Sequence, residues 1–359
     1  KIEKLFVQFE NEIPSSVSDH RKWLAFMLKY AYLSSYVYRE NNNSNIQKLS
    51  ELFEKCNSTY AEWLINNFPG LITIPAITPA MVHHLPHYML YSYFKTKKPQ
   101  VLIIIDGLSL YQWVTLKEAM PEQKYAYTEN ALFAWVPTLT SVSRQALVSG
   151  KKPLEFAEYI YSTSKEESYW ALFWENAGLQ KDSIVYRKAM DDFDIIENIE
   201  EYIDPSKTRA VCLIINKVDD IMHGIKLGNT GLHNQIELYG KSGFLESLIE
   251  SLLRYNFEIT IASDHGNIDC IGIGNPKESS IAEIKGERAR VFQNKILLDS
   301  VQKNFPDSFA WKPVSLPQNY YPLLSKGNTS FALKGRKSVS HGSISVQETI
   351  VPFIKVEGK

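Results

Sequence analysis

The stretch VLIIIDG, Val101–Gly107, is a fully apolar run that ends in Asp-Gly. Two similar runs follow, AVCLII at 210–215 and FEITIA at 257–262, with helical patterns between them. Continuous apolar strands indicate a sheet that is covered on both faces, and the intervening helices indicate parallel crossover connections. The sequence therefore predicts an α/β fold with a mostly parallel central sheet sandwiched by helices.

Residues 1–97 have a different pattern, with no clear strand run. They contain helical stretches such as HRKWLAFMLKYAYLSSYVY and IQKLSELFEKCNSTYAEWLINNF, in which apolar residues recur at helical spacing. The polar stretch FKTKKPQ then precedes the first apolar run. We predict a helical N-terminal module over 1–97 and an α/β domain over 98–359.

The composition of the 359-residue chain restricts its partners and location. A net charge of -1 provides no overall attraction to nucleic acid, so a nucleic-acid partner would need a local basic patch. Three widely spaced cysteines argue against a disulfide framework and favour a reducing, cytoplasmic location. The apolar runs are too short to cross a bilayer, and the N-terminus lacks the apolar core of a signal peptide. We expect no membrane partner, and the sequence leaves the oligomeric state open.

An aspartate follows each of the three apolar runs: Asp106, Asp219 and Asp264. In open parallel sheets, ligands bind beyond the carboxyl ends of the strands. These three carboxylates are therefore expected to converge on one edge of the sheet.

Three histidines accompany the aspartates. His223 lies four residues after Asp219, His265 directly follows Asp264, and His341 precedes a glycine in a serine-rich loop. Taken alone, Asp106 is explained by a turn and His341 by a loop. The spacing of Asp219 and His223 suits either a shared cation or a helix cap with a surface histidine. The adjacent Asp264 and His265 favour a metal, because a charged pair buried there without a partner would be costly. Taken together, three carboxylates and three imidazoles suit zinc or manganese. Six ligands exceed the needs of one tetrahedral zinc, whereas two metals about 4 Å apart would clamp the attacking and leaving oxygens of a phosphoryl transfer.

The stretch VPTLTSVSRQALVSG, Val136–Gly150, places several hydroxyl groups ahead of an apolar helix. Such residues commonly cap a helix. A helix N-terminus also favours an anion, so a hydroxyl at this place could act as a nucleophile toward phosphorus. The candidate hydroxyls are those of Thr138, Thr140, Ser141 and Ser143.

The order DG, PTxT, DxxxH, DHG and HG resembles the alkaline phosphatase superfamily, in particular its nucleotide pyrophosphatase/phosphodiesterase branch. The segments PTLTSVSRQALVSG, KVDDIMHG, SDHGN, GERARVF and SHGSISVQETIVPFI are similar to the PglZ domain, which is associated with BREX phage-defence systems. The resemblance extends over about residues 100–357. It implies an alkaline phosphatase-like fold.

The resemblance also implies a role for each matching residue. Thr140 would be the nucleophile. One metal would be held by Asp219, His223 and His341, and a second by Asp106, Asp264 and His265. The phosphodiesterase branch binds a phosphate oxygen through an asparagine a few residues after the nucleophile. This sequence has Ser143 and Arg144 there instead, so we expect both to bind substrate, with Arg144 contacting phosphate in a bidentate manner.

The resulting expectation is a phosphodiesterase or nuclease-type hydrolase that depends on two divalent metals, zinc first and manganese as the alternative. Its substrate would be a nucleotide or nucleic acid, and its role would lie in phage defence or signalling, with other defence subunits as partners. Two alternatives remain: a catalytically weak scaffold subunit of a defence complex, and a phosphomonoesterase of the same superfamily.

Overall fold

The structure is a computed structural model that describes residues 2–122, 124–224, 228–276 and 286–358. The strands are β1 (Gln100–Ile105), β2 (Tyr125–Phe133), β3 (Ile184–Arg187), β4 (Ala210–Ile215), β5 (Glu258–Ala262), β6 (Ile268–Gly272), β7 (Ala289–Phe292), β8 (Ser308–Ala310), β9 (Tyr321–Ser325), β10 (Thr329–Ser330), β11 (Lys337–Ser340) and β12 (Ile350–Gly358). The α-helices are α1 (Ile2–Glu12), α2 (His20–Glu40), α3 (Asn43–Leu71), α4 (Leu85–Thr96), α5 (Leu110–Ala119), α6 (Thr140–Ser149), α7 (Glu166–Asn176), α8 (Phe193–Glu197), α9 (Ile199–Tyr202), α10 (Lys217–Gly224), α11 (Gly228–Lys241), α12 (Phe244–Arg254), α13 (Lys295–Gln302) and α14 (Val346–Thr349).

The central sheet has six strands in the order β2-β12-β5-β1-β4-β3. The three apolar runs are neighbours in it, with β1 between β4 and β5, and β3 continues the parallel part beyond β4. Every residue of β1 and β4 is buried, as expected for strands covered on both faces. The predicted α/β fold, with a mostly parallel sheet between helices, is confirmed.

The other edge of the sheet is antiparallel. β12 pairs with β5 on one side and with β2 on the other, from Ile350 opposite Phe133 to Gly358 opposite Tyr125. Residues 125–130 of β2 alternate between half-buried and exposed positions, as is typical of a strand with one face toward solvent. Helix α2 covers part of this face, where Tyr32 Oη donates a 2.5 Å hydrogen bond to Glu129 Oε2.

The N-terminal residues form the long helices α2 and α3, which pack directly on the sheet. Trp23, Tyr60 and Trp63 form an aromatic cluster, and the ring of Trp63 lies 5.5 Å from that of Phe133 in β2. Buried apolar residues from these helices and from the sheet form one continuous hydrophobic core. This core contains residues from both sides of the domain boundary predicted near residue 97. The boundary therefore stays a prediction.

Two small three-stranded sheets, β10-β6-β11 and β7-β9-β8, lie in the irregular part of the chain after β5. Helix α13 lies in the same part of the chain. Strand β11 pairs antiparallel with β6 and ends at Ser340, immediately before His341. This small sheet therefore positions the last predicted ligand. No helix among the described residues is long and apolar enough to span a membrane.

Candidate active site

The predicted ligands meet beyond the carboxyl ends of the parallel strands. Asp106 follows β1, Asp264 follows β5, and Asp219 lies in the first turn of α10 after β4; all three are buried. The six residues form two groups, and within each group one ligand atom per residue lies within 4.8 Å of the others. The groups are Asp219, His223 and His341, and Asp106, Asp264 and His265.

The Asp-Gly turn after β1 binds the end of β5. Gly107 has a φ of +72°, in the left-handed region where glycine is preferred. Its backbone N–H donates to Asp264 Oδ1 at 3.2 Å, and the N–H of Leu108 donates to Ser263 Oγ at 2.9 Å. The turn therefore holds the Asp264 carboxylate in place.

The backbone orients two of the histidines. His265 Nδ1 donates to the carbonyl of Gly266 at 3.0 Å, and His341 Nδ1 donates to the carbonyl of Thr138 at 2.7 Å. Each ring therefore keeps the lone pair on Nε2. A hydrogen bond from one ring nitrogen to a backbone carbonyl is the usual way in which a metal-binding histidine is held.

The ligand atoms themselves fit a divalent cation. Among the described residues, Asp106 Oδ1, Asp264 Oδ2 and His341 Nε2 are buried and have no hydrogen-bond partner. Burial and the nearby Asp106 raise the pKa of Asp264 well above its usual range. Burial and the neighbouring His265 lower the pKa of His341 to about 4. Buried, unsatisfied carboxylate oxygens and neutral imidazoles are costly unless a cation binds them, and zinc takes this mixture of ligands.

The hydroxyl of Thr140 lies at this site. Thr140 is the first residue of α6, and its Oγ1 is 3.1 Å from His265 Nε2. The hydroxyl of Thr138 points elsewhere: it donates to the carbonyl of Ser343 and accepts from the N–H of Gly342. The two threonines of the PTLT segment therefore have different places. Thr140 lies beside the predicted ligands, and Thr138 binds residues 342 and 343, which directly follow His341 and are called the His341 loop here.

Ser143 and Arg144 have partners within the protein. Ser143 is buried, and its hydroxyl donates to the carbonyl of Asp264 at 2.6 Å and accepts from the N–H of Trp135. Arg144 is 5% exposed and donates to Asp106 Oδ2 at 2.5 Å and to Glu166 Oε1 at 2.9 Å. These bonds use the Nε–H and one Nη1–H of the five guanidinium donors. The substrate-binding role expected of both residues stays a prediction without support from this geometry.

The guanidinium of Arg144 nevertheless stays charged. Burial alone would lower the pKa of Arg144, but the carboxylates of Asp106 and Glu166 raise it well above its usual range. Glu166 was not among the sequence-predicted residues. In the sequence it is an acidic residue in the first turn of a helix, where a favourable interaction with the helix dipole suffices to explain it.

A second buried arginine–glutamate pair supports the His341 loop. Arg288 Nε donates to Glu348 Oε1 at 2.9 Å, and Glu348 also accepts the backbone N–H groups of Ser343 and Ser345. The N–H of Arg288 donates to the carbonyl of His341 at 3.0 Å. The motifs GERARVF and SVQETI, to which the sequence assigns no role, therefore hold the predicted ligand His341 in position.

A cleft formed by the described residues lies elsewhere. It has a volume of about 910 Å³ and is found at the opposite end of α6 from Thr140, next to Gly150 and His87. His83 and His84 also line it, and the side chains of both are buried. The ligand groups do not line this cleft.

Solved structures with the same fold include human ectonucleotide pyrophosphatase/phosphodiesterase 5, with a TM-score of 0.52 and 14% identity. That match covers 72% of this chain and 87% of the human one. Phosphonoacetate hydrolase from Sinorhizobium meliloti 1021 matches with a TM-score of 0.47 and 12% identity, over 72% of this chain and 89% of the hydrolase. At 14% identity, the similarity to the human protein shows a shared fold and nothing further.

No curated protein matches the chain in sequence. Residues 93–356, well over half of the chain, match the family described as the BREX system PglZ alkaline phosphatase-like domain. That range contains all six predicted metal ligands and Thr140. The chain therefore belongs to the PglZ family of alkaline phosphatase-like domains.

Proposed function

We propose that this protein is a phosphodiesterase that depends on two divalent metals and uses Thr140 as its nucleophile. One observation carries the proposal: the Thr140 hydroxyl, at the N-terminus of α6, lies 3.1 Å from a ligand of one of two adjacent metal-ligand groups. Membership of an alkaline phosphatase-like family supports it.

Asp219, His223 and His341 would hold one ion, and Asp106, Asp264 and His265 the other. Zinc suits the mixed oxygen and nitrogen ligands best, and manganese is the alternative. When bound, such ions supply Lewis acidity that stabilises charge on the transferring phosphoryl group.

The protein's own groups perform the displacement in two steps. Thr140 Oγ1 forms a bond to phosphorus while the bond to one ester oxygen breaks, and the departing alcohol takes up a proton. Water then attacks the phosphothreonine, which regenerates the threonine hydroxyl and releases a phosphomonoester. The free N–H groups and dipole of the α6 N-terminus favour an anionic phosphate beside Thr140.

Nucleotides or nucleic acids are the proposed substrates. Support comes from the name of the human protein with the same fold, a nucleotide pyrophosphatase/phosphodiesterase. The family description supports a role in phage defence within a BREX system, with other defence subunits as partners. A cytoplasmic location agrees with three buried, free cysteines, Cys56, Cys212 and Cys270.

The deciding experiment compares bis-p-nitrophenyl phosphate with p-nitrophenyl phosphate, using zinc-loaded, manganese-loaded and chelator-treated protein. We expect the diester to be hydrolysed faster, and only by metal-loaded protein. Faster hydrolysis of the monoester would favour a phosphomonoesterase. Hydrolysis of neither substrate by metal-loaded protein would favour a scaffold subunit.

A further inference from the structure

Glu166 is a fully buried carboxylate that is connected to the ligand groups through Arg144. Its Oε1 accepts the Nε–H of Arg144 at 2.9 Å, and its Oε2 accepts the hydroxyl of Tyr186 at 2.6 Å. Lys188 Nζ also lies 2.8 Å from Oε2. A buried charge needs such compensation, and Glu166 is held by three donors from two segments of the chain, α6 and the end of β3.

Arg144 links this carboxylate to the ligand Asp106. Its guanidinium is planar, with donors in a fixed fork, so bonds to two carboxylates fix both the position and the plane of the group. One nitrogen binds Glu166, and another binds Asp106 Oδ2 at 2.5 Å. Among the described residues, Asp106 Oδ1 has no hydrogen-bond partner. The arginine therefore occupies one oxygen of Asp106 and leaves the other for a cation.

The charges of the two ligand groups explain why an arginine is tolerated here. The group of Asp106, Asp264 and His265 has two carboxylates, whereas the group of Asp219, His223 and His341 has one. A cation next to Asp106 offsets part of this extra negative charge. An arginine bound to Asp106 alone would, however, compete with a metal for that carboxylate. Glu166 attracts the same guanidinium and so weakens its attraction to Asp106, which limits this competition.

We propose that Arg144 and Glu166 are positioning residues that set the metal affinity of the Asp106 group. This inference rests on the proposed function, because it needs two metals. Arg144 orients Asp106 so that Oδ1 faces the metal position, and Glu166 balances Arg144 so that Asp106 stays available to a cation. Neither residue binds a metal itself.

The test is a zinc titration against a chromophoric chelator, which measures metal affinity without activity. For Glu166→Gln, we expect the second zinc to bind at least about tenfold more weakly, while the first binds as in the wild type. Arg144→Lys keeps the charge but loses the fork, and the same selective loss is expected. The first zinc serves as an internal measure of correct folding.

Glu258→Gln is the matched control. Glu258 begins β5, at the opposite end of the strand from Asp264, and accepts bonds from Ser92, Gln100 and Lys355. Its loss should leave both zinc affinities unchanged. Wild-type zinc affinities in Glu166→Gln and Arg144→Lys would overturn the inference, and a raised KM in Arg144→Lys would then indicate substrate binding. Parallel loss of both zincs in both variants would assign the pair to folding alone and also overturn it.

Failure of the proposed function has a different signature. Wild-type protein that binds fewer than two zinc ions, or that binds two and hydrolyses neither phosphoester, contradicts the proposed function. Wild-type protein that binds two zinc ions and hydrolyses the diester, with unaffected affinities in the variants, contradicts only the positioning role.

Discussion

The imidazole rings of His265 and His341 are stacked, with 3.8 Å between their centroids and 12° between their planes. The two residues belong to different ligand groups and reach the site from distant parts of the chain. Since each ring keeps its lone pair on Nε2, the stack directs one ligand atom toward each group. The two ligand groups therefore adjoin each other along this pair of stacked rings, as two neighbouring metals of one reaction centre require.

Replacement of His341 by alanine should affect one metal. We expect bound zinc to fall from about two ions per chain to about one, because one ligand group loses an imidazole and the other is intact. Elemental analysis of purified protein measures this stoichiometry. His20→Ala, a variant at a histidine remote from the site, should keep about two. Unchanged stoichiometry in His341→Ala would remove His341 from the ligands.

Replacement of Thr140 by alanine should remove the nucleophile and spare the ligands. Hydrolysis of bis-p-nitrophenyl phosphate should fall by about a thousandfold or more, on the scale seen when a nucleophile is deleted. Zinc content should stay at the wild-type level. Thr140→Ser retains a hydroxyl and should keep measurable turnover. Undiminished hydrolysis by Thr140→Ala would end the assignment.

Thr138 offers a test of the loop that carries His341. Valine at this position keeps the shape but removes the bonds to Gly342 N–H and the Ser343 carbonyl, which leaves both buried groups unpaired. We expect a loss of about 1–3 kcal/mol in the free energy of unfolding, measured by urea denaturation of metal-free protein. Thr96→Val, at an exposed threonine, should change the same quantity by less than about 0.5 kcal/mol. Equal stabilities of the two variants would contradict the role given to Thr138.

The sequence alone locates the three aspartates, because each follows an apolar run and parallel neighbouring strands bring such ends together. The supporting glutamates could not be found in this way. Glu166 and Glu348 act on residues from other segments, and their local patterns are those of ordinary helix starts. The antiparallel β2–β12 edge was missed for a related reason: its pairing joins segments far apart in the chain, and β2 lacks the continuous apolar character of the central strands.

His84 predicts a pH dependence of stability. Its Nδ1 accepts the N–H groups of Ala80 and Met81, and burial lowers the pKa of His84 to about 4. The unfolded chain takes up a proton near pH 6.5, whereas the folded protein does so only near pH 4. The stabilising contribution is therefore complete above pH 6.5 and is lost as the pH falls to 4, by about 3 kcal/mol.

The variant His84→Asn isolates this effect, since asparagine keeps an acceptor near the position of Nδ1 and does not titrate. Urea denaturation at several pH values between 7.5 and 4 should show a shallower fall in the free energy of unfolding for His84→Asn than for the wild type. Parallel pH profiles would exclude His84 as the source.

Helix α3, in the first part of the chain, contacts helix α14, which lies close to the last strand. Asn57 Oδ1 accepts the N–H of Val346, and Tyr60 Oη lies 2.6 Å from Thr349 Oγ1, a contact between residues 289 positions apart. Both bonds fall just after the His341 loop. Closing so long a loop is slow, because its conformational entropy is lost before the contact forms. During synthesis Asp106 and Asp264 emerge from the ribosome well before His341, so a growing chain has all six predicted ligands only once residue 341 has emerged.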